Sequence, residues 1–522
     1  MKFKKALLIP LVFTCLLIIG IWALNSPPNR VEIARLDTDN DGRHDYKISL
    51  QGPKTIEWVK SGTSAKKHDL STEETLVYEA REGSQSLGAL TLTLKRIRNT
   101  DYIYFIKYEN KRTVPDVKAI ITALNSSPEI KGHQIIYPRQ IDNQSSEWNS
   151  FEVSPGGRFS PEHRLPKNAV FLDSSSHYLR LGLVDIFKPL KNRVKLELFE
   201  KSKPISILRQ GDAILYTIPL PPEPGTYAET WGILGSSPLI DWDNPSAVSA
   251  AKRGDLVRFR KLATDGTYYL TPWNYYPTEK TAFWPNPANH VAELFRRQDG
   301  GSYFTDISVS SMYTAIQAQN RDGFWPTYPR SDWLFKDYRI PEGFYDTRFN
   351  TDAALFLLHM YSQAGDKKSL EAAQKYGSWL RKYIQEQGIP TSGGGMLVPD
   401  YFKPGVKHQK SHVSLNHLVT EMNFLYELYG VDQDELNLKA GDLIRQAVRD
   451  TGENWIKPDG DLHYAYLSGG KYGMQDYPLI TLNDLKLSQK LIKQVTGRED
   501  SVFGKLIESK ENYLVKNGMP LE

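Results

Sequence analysis

The 522-residue sequence predicts a multidomain protein with an N-terminal membrane anchor, an antiparallel β-sandwich and a C-terminal α/α toroid, a ring of helical hairpins. Three observations carry that expectation. An uncharged, mostly apolar run opens the chain, short β-branched and aromatic runs recur to about residue 220, and helical patterns alternating between all-apolar and one-faced fill the rest. A chain of this length exceeds what one compact core accommodates, so several domains are expected on size alone.

Lys2, Lys4 and Lys5 precede the apolar run from Ala6 to Leu24, and Ser26-Pro27-Pro28 follows it. Such a run is long enough to span a bilayer and longer than the apolar part of most signal peptides. Ala23-Leu24-Asn25 is a poor small-x-small cleavage site. Residues 1–28 are therefore expected to remain as a single-pass anchor in the cell membrane, lysines cytoplasmic and domains outside. Cleavage and secretion are the alternative. Cys15, the sole cysteine, lies inside this run, so the exported part can form no disulfide. The net charge of +4 comes without a long basic block, which argues against a nucleic-acid partner.

Residues 29–46 hold Leu36-Asp37-Thr38-Asp39-Asn40-Asp41-Gly42-Arg43-His44-Asp45. Carboxylates at alternate positions followed by Gly suit a short loop wrapped around a hard cation. The pattern resembles the calcium loops of thrombospondin type 3 and dockerin-like repeats. That resemblance implies Asp37, Asp39, Asp41, the Arg43 carbonyl and Asp45 as ligands of a structural Ca2+. An Asp-rich turn without an ion is the alternative, and no organic cofactor is expected.

From residue 47 to 225 the runs read as strands: Thr55 to Val59, Thr75 to Glu79, Leu90 to Lys95, Tyr102 to Tyr108, Ala119 to Thr122, His133 to Tyr137, Tyr178 to Val184, Arg193 to Phe199 and Ala213 to Ile218. Turn residues punctuate them, so a β-sandwich is the simplest architecture. Pro219-Leu220-Pro221-Pro222-Glu223-Pro224-Gly225 is too rich in proline to extend a strand and marks the expected domain boundary.

Over residues 226–522, Thr351 to Ala364 and Val413 to Tyr429 are apolar almost all round, whereas Ser369 to Ile384 and Leu436 to Val448 show one apolar stripe. Inner and outer helices taking turns make a hairpin ring whose end loops form a cleft. Three such loops look like cleft walls. The first holds Phe324-Trp325-Pro326 and Glu342 to Asn350, the second Val398 to Phe402 ahead of Ser411 to Asn416. The third runs from Asp459 to Gln489, where Gly460, Gly469, Gly470 and Gly473 place mobile backbone beside Tyr464, Tyr466, Tyr472 and Tyr477. Aromatic hydroxyls on such loops suit a sugar, and they suit a hydrogen-bonded core equally well. Thr481 and Asp484 have capping-box spacing. His412 and His417, five apart, do not share a helix face as a metal pair would, and are expected as cap and surface residues.

Residues 320–514 resemble the C-terminal domain of the glucuronyl C5-epimerases, which invert uronic acid residues in heparan-type polysaccharides. The resemblance rests on Gly323-Phe324-Trp325-Pro326, Gly343-Phe344-Tyr345, Asp400-Tyr401 before Val413-Ser414-Leu415-Asn416, and Gln475-Asp476-Tyr477 before Thr481-Leu482-Asn483, in the family's order. It implies Asp400, Tyr477 and Tyr464 as the reacting groups. Inverting C5 requires removing a proton beside a carboxylate and returning one from the other face, so two acid/base groups must flank the ring. The expected assignment is Asp400 or Tyr477 as base and Tyr464 as acid, with Arg348 or Lys471 neutralising the substrate carboxylate. Tyr401, Tyr345, Trp325, Asn416 and Tyr466 are the remaining expected substrate contacts. Asp400 stands where the family has Glu, and the family's last-loop arginine is replaced. A lyase or hydrolase on the same scaffold, or a non-catalytic surface glycan-binding protein, are the alternatives. The expected partners are an acidic polysaccharide and, through the anchor, the membrane, with a homodimer left open.

Overall fold

The computed structural model describes residues 29–127, 129–136, 147–153, 163–221, 223–254, 260–270, 275–277 and 281–521. The anchor expected over residues 1–28, Cys15 included, lies outside them. Among the described residues no helix is long and apolar enough to cross a membrane.

Alternation with a period of two makes each strand of the N-terminal half two-faced. Along Tyr102–Asn110, Tyr104, Ile106 and Tyr108 enter the core between two sheets, while Ile103 and Phe105 enter a second core shared with the helices. Ala169–Asp173 behaves alike, with Val170 and Leu172 on one side and Phe171 on the other. A six-stranded antiparallel sheet therefore covers one face of a fourteen-stranded sheet, and the helices cover the other. The Asp-rich loop is the turn between the paired strands Asn29–Leu36 and Tyr46–Gly52, so residues 29–46 belong to the smaller sheet.

The boundary expected at residue 225 is corrected. Tyr227–Gly235 lies within the large sheet, pairing with Tyr102–Asn110 on one side and with Tyr178–Leu181 and Asp185–Pro189 on the other. Arg260–Leu262, Tyr268–Leu270 and Ala282–Pro285 extend the same sheet. The prolines interrupt local hydrogen bonding while the chain crosses from one sheet to the other; they do not end the β-layer.

Ten α-helices follow among the described residues: α1 Pro245–Gly254, α2 His290–Arg296, α3 Ser302–Ala318, α4 Asp332–Tyr338, α5 Thr347–Ala364, α6 Lys367–Gln387, α7 Leu415–Asp432, α8 Glu435–Thr451, α9 Ile480–Thr496 and α10 Ser501–Lys516. The nearly all-apolar α5 and α7 are inner helices, and the one-faced α6 and α8 pack outside them. Asp346, Asp366, Asp434 and Asp500 cap α5, α6, α8 and α10 by accepting first-turn amides. The capping box expected at Thr481 and Asp484 does not form. Thr481 Oγ1 donates to Asp476 Oδ1 (2.6 Å), Asp484 binds Arg348, and α9 starts at Ile480 without a side-chain cap.

Candidate active site

Two short strand pairings bring distant loops together at one end of the helical layer. Tyr345–Asp346 pairs with Tyr401–Phe402, and the Thr347 amide donates to the Asp400 carbonyl (3.0 Å). Val413–Ser414 pairs with the first strand of the hairpin His463–Leu467/Lys471–Gln475. Asp400, Ser414 and Tyr464 thereby face one another although they come from three segments.

Asp400 is fully buried. Its Oδ1 accepts the Ser414 amide (2.7 Å), and its Oδ2 accepts the Ser414 hydroxyl. His412 Nε2 stands 3.2 Å from Oδ2, in ion-pair range but out of line for a hydrogen bond, and His417 Nδ1 stands 3.7 Å away. Burial alone would raise the Asp400 carboxyl. The facing imidazoles and the Ser414 donors outweigh it and hold the group below the ordinary aspartate value. Burial in turn holds His417 down at about 4, so at neutral pH it is uncharged. The donors sustaining the carboxylate there are the amide and hydroxyl of Ser414. Both histidines are buried, which corrects their expected place at a cap and on the surface.

Tyr464 is half-buried, with its phenol facing the Ser414 hydroxyl. Burial, and next the Asp400 charge, push that phenol well above the usual tyrosine value, so it is a proton donor at rest. Tyr477 is 49% exposed and meets Tyr464 edge to face, ring centroids 5.7 Å apart. Two acids complete the floor: Asp346, which sequence reasoning offered only as a carboxylate for the hydrolase alternative, and Glu421, which it did not assign. Asp346 is buried, accepts the Phe349 amide (3.0 Å) and is pushed up to about 8, chiefly by burial, with the Asp400 charge adding. Glu421, inside α7, has neither carboxyl oxygen hydrogen-bonded, and burial raises it well above its usual value, so it is held protonated. Tyr275 is a further neighbour, its phenol within electrostatic reach of Asp346, Tyr464 and Tyr477. An uncharged residue far along the chain gives no local signal of such a position.

The remaining expected contacts divide. Tyr401 packs edge to face on His412 and His417. Asn416 is buried beside this region with its Oδ1 unpartnered. Tyr466 packs on Tyr472, and Lys471 lies exposed at the turn of the hairpin, paired with Leu467. Tyr345 is fully buried and bonded to the Tyr376 hydroxyl (2.9 Å), and Trp325 is buried with its Nε1 donating to the Ala315 carbonyl (2.8 Å). These two are core residues. Arg348 donates to both oxygens of Asp352 (3.2 and 3.0 Å), to Asp484 (2.6 Å) and to Thr420 (3.1 Å), so its fork is committed within the ring.

In the Asp-rich loop, carboxylate oxygens of Asp37, Asp39 and Asp45 lie within 4.8 Å of one another. Asp41 stands outside this group, its Oδ1 accepting the Arg43 amide (2.7 Å). Three facing carboxylates fit the oxygen chemistry of calcium.

No family model matches the chain, and no curated protein matches it. Among solved structures, a D-mannose isomerase is similar over 43% of this chain and 59% of its own, at 13% identity and a TM-score of 0.32. The chain thus spans under two thirds of that protein's length. A family 76 glycoside hydrolase from a bovine Bacteroides thetaiotaomicron strain aligns over 76% and 75%, at 13% identity and 0.35. A family 76 mannosidase from Bacteroides thetaiotaomicron aligns over 52% and 70%, at 13% and 0.37. Likeness at this level assigns neither substrate nor reaction.

Proposed function

We propose that this cluster is an acid–base site acting on a polysaccharide, with C5 of a uronic acid residue as the reacting centre and C5 epimerisation as the reaction. One observation carries the reading: Tyr464, Ser414 and Asp400 form a line from the half-buried phenol to a fully buried carboxylate held below its usual value, with Tyr477 exposed against Tyr464. In the proposed step Tyr464 oxygen takes the C5 proton while its own proton passes through the Ser414 hydroxyl to Asp400. The electron pair left at C5 delocalises into the substrate carboxylate. Tyr477 then returns a proton to the opposite face. Asp400 then returns its proton along the same line, through the Ser414 hydroxyl and Tyr464, to water, and Tyr477 regains one from water. One C–H bond breaks, one forms, and nothing is oxidised. With Arg348 committed, Lys471 is the cation left from the original pair to meet the reacting carboxylate.

One observation favours a second reading, glycoside hydrolysis. Asp346 and Asp400 are neighbouring acids with their proton affinities pushed in opposite directions, the pattern of a general acid and an ionised partner. The proposal also places the site outside the cell on the 1–28 anchor and gives loop 37–45 a structural Ca2+.

The deciding experiment incubates the protein with uronate polysaccharides in deuterated water. Deuterium at C5 without chain cleavage supports epimerisation, an ultraviolet-absorbing unsaturated end indicates a lyase, and new reducing ends alone indicate a hydrolase. Tyr477→Phe should abolish inversion at C5 while leaving exchange on the face served by Tyr464; inversion at the wild-type rate would remove Tyr477 from the mechanism.

A further inference from the structure

Just outside the acid–base cluster lies a ridge that the proposed reaction does not use. Tyr275–Tyr276 is a two-residue strand paired with Arg330–Ser331. Successive residues of a strand point to opposite faces. Tyr275 accordingly turns in toward Asp346, Tyr464 and Tyr477, while Tyr276 turns out and is 49% exposed. The Arg330 guanidinium lies 5.2 Å from the centre of the Tyr276 ring and 5.2 Å from that of Phe335, so it is flanked by two aromatic rings. Arg339 follows, 5.8 Å from the Phe335 ring centre. Phe335 is itself 38% exposed.

The ridge is tied to the site by α4. Its Trp333 and Tyr338 pack on His412, and the Tyr338 hydroxyl bonds His412 Nδ1 (3.0 Å), whereas Phe335 on the same helix carries the two arginines. Exposed aromatic rings of this size normally find cover, and here their company is cationic. Stacking holds a guanidinium in place while leaving its N–H edge available, so little rotamer freedom is lost when a carboxylate or sulfate arrives. Arg330 Nε is buried, which leaves the two terminal nitrogens as the edge a ligand can meet, and of these Nη2 reaches Asp332 Oδ1 (2.8 Å). The Asp332 side chain is 69% exposed, and a contact that open to water is readily exchanged for another anion.

The geometry points to Tyr276, Arg330, Phe335 and Arg339 as a binding subsite for an anionic polysaccharide, which takes the carboxylate or sulfate of sugar units flanking the one that reacts. The rings offer flat faces to the apolar sides of the pyranoses, and the two arginines set the requirement for charge. This assignment rests on the acid–base reading of the adjoining cluster and names what that site selects.

The test measures affinity of the full chain for polyglucuronate, alginate and an alternating glucuronate–N-acetylglucosamine polymer, each beside its carboxyl-reduced neutral form. At least one acidic polymer should bind about tenfold tighter than its reduced form. Arg330→Ala/Arg339→Ala, with unchanged circular dichroism, should lose about fivefold or more of that affinity and much of its sensitivity to salt. Tyr276→Ala/Phe335→Ala keeps both charges and should weaken binding as well, because the guanidinium loses its stacking faces. The subsite is overturned if no acidic polymer binds, if the reduced form binds as tightly, or if either double variant binds like the wild type. Tyr477→Phe separates the two claims. Full affinity through the arginines without C5 exchange in the wild type removes the reaction and leaves the subsite. C5 exchange that survives in an arginine variant of unchanged affinity removes the subsite alone.

Discussion

Replacing Lys510 with Met should unpin the turn that carries Tyr477. Lys510 projects from α10 with a side chain 1% exposed, and its Nζ lies 2.6 Å from Asp461 Oδ1 and 2.8 Å from Asp476 Oδ2, both carboxylates equally buried. Methionine fills similar space and removes the charge. Stranding a buried charge by deleting its partner costs about 3–5 kcal/mol. Lys457 still holds Asp461 Oδ2 (3.0 Å) and Thr481 still donates to Asp476 (2.6 Å), which argues for the lower end, about 3 kcal/mol. In a chain of this size that corresponds to a drop of roughly 3–5 °C in Tm. The assay is urea unfolding of wild type, Lys510→Met and Lys510→Met/Asp476→Asn across pH. Burial already raises the Asp476 carboxyl even with Lys510 present, so without the lysine it should escape by taking up a proton. A carboxyl whose folded value is raised is relatively stabilising at low pH and loses that as pH rises. The deficit of the single variant should therefore be small near pH 5 and full near pH 8, and Asp476→Asn should recover part of it. A loss under about 1 kcal/mol, or a deficit independent of pH and unrelieved by Asp476→Asn, would refute the reasoning.

His359 donates to Glu427 (2.8 Å) and faces Glu293 (3.2 Å). Burial would lower it, but the two carboxylates reverse that and raise it to about 9. Its contribution should be complete below its unfolded value of about 6.5 and lost as pH rises through about 9, amounting to at most ~3 kcal/mol and absent in His359→Gln, as a stability profile from pH 6 to 10 will read. Ser414→Ala should slow C5 exchange by about a hundredfold by cutting the line between Tyr464 and Asp400; exchange slowed less than about threefold would dismiss that line. Chelator should lower the Tm of the wild type and not of Asp37→Asn/Asp39→Asn, and equal melting of the wild type with and without calcium would dismiss the ion.

The strands and the inner and outer helices were readable because burial writes itself into sequence with periods of two and 3.6. The segments that meet at the cluster were readable in part, since Asp400, Tyr464 and Tyr477 stand together as the loops suggested. What stayed hidden depends on partners distant in the chain. A loop tyrosine looks the same whether it turns inward, as Tyr345 does onto Tyr376, or outward, as Tyr276 does under Arg330. His412 and His417 gave no helical spacing because only His417 lies on a helix, in the first turn of α7, while His412 precedes it and its carbonyl accepts the Asp400 amide (2.9 Å). Arg348 stood among loop residues and is consumed by Asp484, which reaches it from α9. A proline-rich stretch reports a local break, and here the strand before it belongs to the smaller sheet and the strand after it to the large one.

The large sheet has no wet face over much of its area: Ile103 and Phe105 press on the helical layer while Tyr104 and Ile106 press on the second sheet. A fragment cut to the helical ring would bare Phe295, Tyr303, Phe304 and Met312 to solvent, and a fragment cut to the strands would bare the matching underside. The loops of the candidate site are thus carried by a layer that borrows its floor from the other half of the chain, and evolution could exchange neither half without re-tailoring the seam.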